Sequence, residues 1–212
     1  MKFILFVEGE TEKKVLPSIL RKWLDARLND NVGIQTVKFS GFSEMIKDDV
    51  KKKVLLHLNG PGKEKIIAVI SILDLYGPNK TAFYPPEKRN RDDRYAWGKK
   101  HMEDLVNHPK FHQFFAVHET EAWLFSDPVI FPPSLKNDVE ARSRKPEEIN
   151  FDHPPASLLD SFYLQREKRP YKKIVDGMAL FEKLEPDTVY QKCPRFRELL
   201  DTMLSLAKEA GL

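Results

Sequence analysis

The chain has 212 residues, enough for one domain or one domain with an appendage. Hydrophobic residues make up 41% and charged residues 32%, which supplies a core and a well-solvated surface. A net charge of +3 is too small to mark a nucleic-acid binder by itself, and the single cysteine, Cys193, excludes an internal disulfide and a cysteine-rich zinc site.

In chain order, the apolar run Phe3-Ile-Leu-Phe-Val predicts a buried strand over 3–8 that ends on Glu8. Gly9 turns the chain, and Val15, Ile19, Leu20, Trp23 and Leu24 then recur at helical spacing over 11–28, with Pro17 near the start where its penalty is smaller. Residues 34–39 read as a second strand. Residues 43–58 read as a helix stopped by Asn59-Gly60-Pro61-Gly62. Ile66 to Leu73 is a nearly continuous apolar run, as in a parallel strand covered on both faces, and it ends at Asp74. A polar loop over 77–91, a helix over 94–106 and a strand over 111–118 follow. This βαβαβαβ order predicts an α/β fold, a mostly parallel sheet flanked by helices. A short helical piece over 121–125 is then broken by Asp127-Pro128 and Pro132-Pro133. Beyond it only helical segments are expected, over 156–166, 171–184 and 194–210. The division is therefore an α/β domain over 1–127 and a helical C-terminal region over 128–212, packed on it.

Acidic residues stand at the ends of the predicted strands. Glu8 follows the first, Asp74 the third, Glu119 and Glu121 the fourth, and Glu12 lies one helical turn beyond Glu8. The carboxyl ends of parallel strands share one edge of a sheet, where ligands bind. Side chains over a hundred residues apart can therefore converge there. Such hard oxygen donors suit Mg²⁺ or Mn²⁺, which would bind phosphate and lower the pKa of a bound water. Each residue also has a plainer reading. Acids are favoured in a helix's first turn, as Glu12 is, and aspartates such as Asp74 form turns. Glu8 is harder to explain this way, because a carboxylate closing an apolar strand is unfavourable if buried without a partner. Glu119 and Glu121 share a face in a strand and diverge in a helix, so one of the two is expected to be the direct ligand.

Three segments carry a family resemblance: Val7-Glu8-Gly9-Glu10-Thr11-Glu12, Ile72-Leu73-Asp74-Leu75-Tyr76-Gly77, and His118-Glu119-Thr120-Glu121-Ala122-Trp123-Leu124-Phe125-Ser126-Asp127. They resemble the TOPRIM fold, shared by topoisomerases, primases and the OLD (overcoming lysogenization defect) nucleases. More closely, the chain is similar to a family of small bacterial TOPRIM-like proteins of undefined function, often encoded beside an ATPase. Gly177-Met-Ala-Leu-Phe and Cys193-Pro194-Arg195-Phe196 resemble that family's C-terminus. The resemblance implies that Glu8 is the TOPRIM glutamate, a metal ligand or general base, and that Glu12 is the second glutamate of OLD-type members. Asp74 matches the first aspartate of the aspartate-x-aspartate motif. The position of the second holds Tyr76, which removes one ligand. Glu121 resembles the later glutamate of OLD-like nucleases, with Glu119 a substitute for the missing aspartate. Lys172 or Lys173, at the start of a predicted helix, is the candidate to stabilise charge on a phosphate.

The implied function is a Mg²⁺- or Mn²⁺-dependent nuclease on DNA or RNA, an effector in bacterial defence controlled by a partner ATPase. The competing expectation is a catalytically weak TOPRIM-like binding or regulatory partner of that ATPase. No P-loop occurs in this chain, so ATPase activity would come from the partner.

Two basic runs are candidate phosphate contacts: Lys80, Lys88, Arg89, Arg91, Arg94, Lys99 and Lys100, then Arg166, Lys168, Arg169, Lys172 and Lys173. A solvated basic face is the plainer reading of each. Tyr76, Tyr84 and Tyr95 beside the first run are candidates for stacking on unpaired bases. His118 reads as a packed neighbour of the acidic residues, His101, His108 and His112 lack shared ligand spacing, and Cys193 reads as structural. With a short N-terminal apolar run and no stretch of about 18 apolar residues, a cytoplasmic protein without membrane contact is expected.

Overall fold

A computed structural model of the chain describes residues 1–75, 83–88, 90–148 and 153–212. The first strand, β1 (Lys2–Val7), alternates as a strand must, and both faces are covered. Phe3, Leu5 and Val7 join one core, Ile4 and Phe6 the other. Helix α1 (Glu10–Asp25) follows with Gly9 as its N-cap. Pro17 is the eighth residue of α1, past the first turn, yet the helix continues through it. Buried Leu16, Ile19, Leu20, Trp23 and Leu24 hold that face to the sheet.

Strand β2 (Gly33–Lys38), helices α2 (Phe42–Met45) and α3 (Asp48–Asn59), and strand β3 (Ile66–Asp74) come next. The single helix expected over 43–58 is thus two. Lys47 is extended (φ −107°, ψ 173°), and Asp48 and Asp49 open a new helix, where carboxylates favour the N-terminus. Helix α4 (Arg91–Val106) is capped by Asn90, whose side chain accepts the Asp93 N–H at 2.8 Å. Strand β4 (Phe111–Ala116) completes a four-stranded parallel sheet in the order β2-β1-β3-β4.

This order sets the two faces. The chain leaves β1 toward one edge and β3 toward the other, so α1 and α4 fall on opposite sides of the sheet. The core on the α4 side combines Val50, Val54, Tyr95 and Met102 with Ile4 and Phe6. The core on the α1 side takes in the C-terminal helices: α5 (Lys136–Glu140), α6 (Pro155–Arg166), α7 (Met178–Lys183), α8 (Pro186–Lys192) and α9 (Pro194–Glu209). Trp123 packs on Phe196 at 4.7 Å between ring centroids, and Asp187 accepts both the Trp23 indole N–H at 3.0 Å and Arg27 at 2.6 Å. Residues 121–125 form part of a 3-10 turn, Thr120–Ser126, and the helix expected over 171–184 begins as a π turn, Lys173–Gly177. Among the described residues no helix is long and apolar enough to cross a membrane.

Helix α9 is closed at its N-terminus by a residue distant in sequence. The buried Glu147 carboxylate accepts the N–H groups of Arg195 at 3.0 Å and Phe196 at 3.3 Å. Burial outweighs these bonds and the nearby Arg195 and Arg91 charges, and pushes its pKa up to about 7. Its contribution to stability is therefore complete below the ordinary carboxylate pKa of about 4.5 and is lost as pH rises through about 7. Against Glu147→Gln, which does not titrate, the wild-type protein should lose up to about 3 kcal/mol between pH 4.5 and 8. Parallel urea unfolding of both proteins across that range measures it, and a constant difference would contradict the assignment.

Candidate active site

The strand order places a switch between β1 and β3, whose connections run to opposite edges, and a crevice opens at their carboxyl ends. Glu8 directly follows β1, and Asp74 is the last residue of β3. Both are partly buried. A cleft of about 340 Å³ there is lined by Glu8, Gly9, Glu10, Thr11, Glu12, Asp74, Lys173 and Ile174.

Gly9 does two things at this edge. It is extended (φ −114°, ψ 169°) and offers no side chain to cap α1, whose first residues, Glu10, Thr11 and Glu12, line the cleft. It also leaves room for Glu12 to fold back, since a Cβ on Gly9 would overlap Glu12 Oε2. Glu12 is 5% exposed, and its Oε2 has no hydrogen-bond partner among the described residues.

The third wall comes from the turn after β4. His118 adopts φ +66°, a left-handed conformation, and the chain then enters the 3-10 turn that carries Thr120 and Glu121 inward. Glu121 is fully buried. The Thr120 hydroxyl lies 3.2 Å from Glu12 Oε1 and 3.4 Å from Glu121 Oε2, which ties the two carboxylates together. Lys173, on the π turn, closes the group with its Nζ 3.0 Å from Glu121 Oε1 and 3.5 Å from Glu12 Oε1.

The electrostatics follow from this geometry. Burial, then the charges of Glu119 and Glu12, raise the pKa of Glu121, and Lys173 opposes them. Burial works against the Lys173 ammonium, but Glu121, Asp74 and Glu12 outweigh it and hold its pKa well above the usual lysine range. Burial, and then Glu121, also raise the Tyr171 phenol. His118 is pushed down to about 4 by burial, with a smaller push from Arg91, so it is a neutral packed imidazole near pH 7.

Glu8, Glu12, Asp74 and Lys173 thus line one crevice, and the buried Glu121 meets it through Lys173. Glu119 points elsewhere: its Oε2 accepts the Ala156 N–H at 3.0 Å and caps α6, although its charge still reaches Glu121. Lys172 is exposed, and its N–H goes to Asp176 at 2.8 Å. Among the described residues, no three His, Cys, Asp or Glu side chains are set to hold a metal ion. The donors are nevertheless hard oxygens, and one of them, Glu12 Oε2, is buried and unpartnered, so the residues suit a divalent cation. Thr120, Tyr171 and Gly9 are the participants that residue-type reasoning passed over. Only the placing of Thr120 between two glutamates signalled any of them.

The other expected contacts fare differently. Tyr84 and Tyr95 are 3% and 2% exposed and cannot stack on a base: Tyr84 donates to the Leu75 carbonyl, and Tyr95 lies beneath Arg195. Several basic residues already have partners within the chain: Arg91 with Asp92 and the Glu147 carbonyl, Lys99 with the Gln113 carbonyl, Lys100 with Asp104, Arg166 with Asp138, and Arg169 with Asp176. Tyr76, Lys80 and Arg89 lie outside the described residues.

The sheet and its crevice define an α/β protein with carboxylates and a lysine gathered at the switch point. The chain belongs to the family described as a domain of unknown function, DUF4276, whose model matches residues 7–204. In fold it is similar to the C-terminal region of the Burkholderia pseudomallei OLD protein, at 18% identity and a TM-score of 0.50 over 99% of this chain and 98% of that one. The C-terminal region of the Xanthomonas campestris pv. campestris OLD protein also matches, at 15% identity and a TM-score of 0.39 over 95% of this chain and 96% of that one. No curated protein matches the chain.

The hydroxyl that joins Glu12 and Glu121 offers a direct test of this arrangement. Thr120→Val should lower stability by about 1–3 kcal/mol, because two buried carboxylates lose a donor. Thr120→Ser should recover most of the loss in urea unfolding. An unchanged Val variant would show that the hydroxyl does not join them.

Proposed function

We propose that this chain is a metal-dependent phosphodiester hydrolase of TOPRIM type acting on nucleic acid. The supporting observation is a cleft at the switch point lined by Glu8, Glu12, Asp74 and Lys173, with Lys173 also paired to the buried Glu121. Glu8, Asp74 and Glu121 would hold Mg²⁺ or Mn²⁺, with Glu12 beside them and Glu119 acting through its charge. When bound, the ion polarises a phosphate oxygen and makes a nearby water a better nucleophile.

The chain's own residues supply the rest. The N–H groups at the start of α1, which lies beside the cleft, would receive a phosphate oxygen. Lys173, rather than the outward Lys172, faces the charge that develops on the phosphate. Glu8 or Glu12 takes the proton from water. In this reading the residues over 1–127 supply the carboxylates and the helical region over 128–212 supplies the lysine. The motif resemblance adds a setting: a cytoplasmic effector in bacterial defence, governed by a partner ATPase.

One feature favours the second reading, a catalytically weak binding or regulatory partner of an ATPase. Tyr76 replaces the second aspartate of the motif. Cleavage of plasmid and of single-stranded DNA and RNA with Mg²⁺, Mn²⁺ or EDTA separates the two. Metal-dependent cleavage should fall at least about 100-fold in Glu8→Ala and Asp74→Ala, the scale of removing an electrostatic stabiliser of the transition state. Gly9→Ala should fold and cut at least tenfold more slowly, because its methyl group displaces the Glu12 carboxylate. Cleavage that survives in the Glu8 and Asp74 variants would remove this site from the chemistry. No cleavage with any metal or nucleic acid would favour the second reading.

A further inference from the structure

The Lys173 ammonium lies among carboxylates that would otherwise repel one another. It is 3.0 Å from Glu121 Oε1 and 3.5 Å from Glu12 Oε1, and it feels the charge of Asp74. An ammonium and a divalent cation would seek the same oxygens, and the divalent ion carries twice the charge.

The backbone around Lys173 is held by several hydrogen bonds, while its side chain is partly exposed. The Tyr171 N–H donates to Asp160 at 3.0 Å, and the Lys172 N–H donates to Asp176 at 2.8 Å. Asp176 is held by both terminal nitrogens of Arg169 at 2.8 Å. The N–H groups of Val175, Asp176 and Gly177 converge on the Lys172 carbonyl at 3.0, 2.7 and 3.4 Å. The Lys173 side chain is 38% exposed, while those of Glu12 and Glu121 are 6% and 0% exposed. The amine is thus the solvent-reachable member of the group, and the two glutamates are its buried members.

We propose that Lys173 is a built-in competitor for the divalent cation. Its ammonium holds Glu12 and Glu121 together until an ion enters, then yields those oxygens and turns into the cleft. This rests on the metal-site reading above and deepens it. The lysine keeps the carboxylates paired before loading, and loading releases the amine to face the phosphate. Such exchange makes the preference for a strong divalent cation depend on the lysine.

The probe is Mn²⁺ alone, followed by the electron paramagnetic resonance signal of the free ion, with wild type, Lys173→Met, Lys173→Arg and Asp74→Ala. Lys173→Met should bind Mn²⁺ at least tenfold more tightly than wild type. Lys173→Arg, which keeps the charge, should stay within a few-fold of wild type, and Asp74→Ala should bind much more weakly. In wild type, labelling of Lys173 by acetic anhydride, read by mass spectrometry, should quicken several-fold when Mn²⁺ is added. Equal or weaker binding by Lys173→Met, with wild-type binding intact, would overturn the competition and leave the metal site standing. No Mn²⁺ binding by either protein would overturn both. If Lys173→Met does not fold, the labelling decides, and an unchanged rate would overturn the proposal.

Discussion

A fully buried Glu121 depends on a cation within reach, and Lys173 is that cation. The pair lies 3.0 Å apart, with Glu12 and Thr120 completing the contact. The pair joins the turn after β4 to a π turn more than fifty residues later, across the first turn of α1. Removing one partner of such a buried pair costs more than the pair contributes, because the remaining charge has no water. The crevice is thus a place where local conformation answers to electrostatics. The His118 left-handed bend, the 3-10 turn and the π turn are all non-α arrangements, and together they carry Glu121 and Lys173 to one point.

The sheet makes this meeting possible. With β1 and β3 adjacent and parallel, Glu8 and Asp74 reach the same edge although more than sixty residues separate them. The helix that begins beside them brings its own dipole, positive at the end that faces the carboxylates. At Gly9 the absence of a side chain decides geometry, because it lets Glu12 return over the helix start. Strand order, helix start and glycine act on the same cleft.

The sheet was legible because its signals are local. A continuous apolar run at 66–73, flanked by a proline-glycine stop and an aspartate, has few structures open to it, and the alternation of strands and helices fixed parallel pairing. The carboxylates were legible for the same reason: each ends a strand. What sequence left open depends on distant partners. Lys172 and Lys173 are alike by composition and position, and only the π turn sends one outward and the other to Glu121. Glu119 and Glu121 differ because the start of α6 reaches Glu119 first. Tyr84 and Tyr95 resemble exposed stacking residues until the Leu75 carbonyl and Arg195 are seen above them. The break at Lys47 was legible in principle from the Asp48-Asp49 pair, which favours a fresh N-terminus over a helix interior.

Likeness of fold at 18% identity says how the chain is arranged and leaves its chemistry to the side chains. Stability alone gives those side chains no reason to be there. A buried ion pair exchanged for well-packed apolar residues is often neutral or more stable, so a scaffold has no need of Glu121 and Lys173. The Glu147 cap makes the contrast. It too is a buried carboxylate, but two backbone N–H groups receive it, and its place at the start of α9 explains it without a ligand. Glu12 has no such explanation, for its Oε2 is buried beside the cleft and has no hydrogen-bond partner among the described residues. In the metal-dependent reading proposed above, that oxygen, next to a helix start and the Lys173 ammonium, is where a cation would be received.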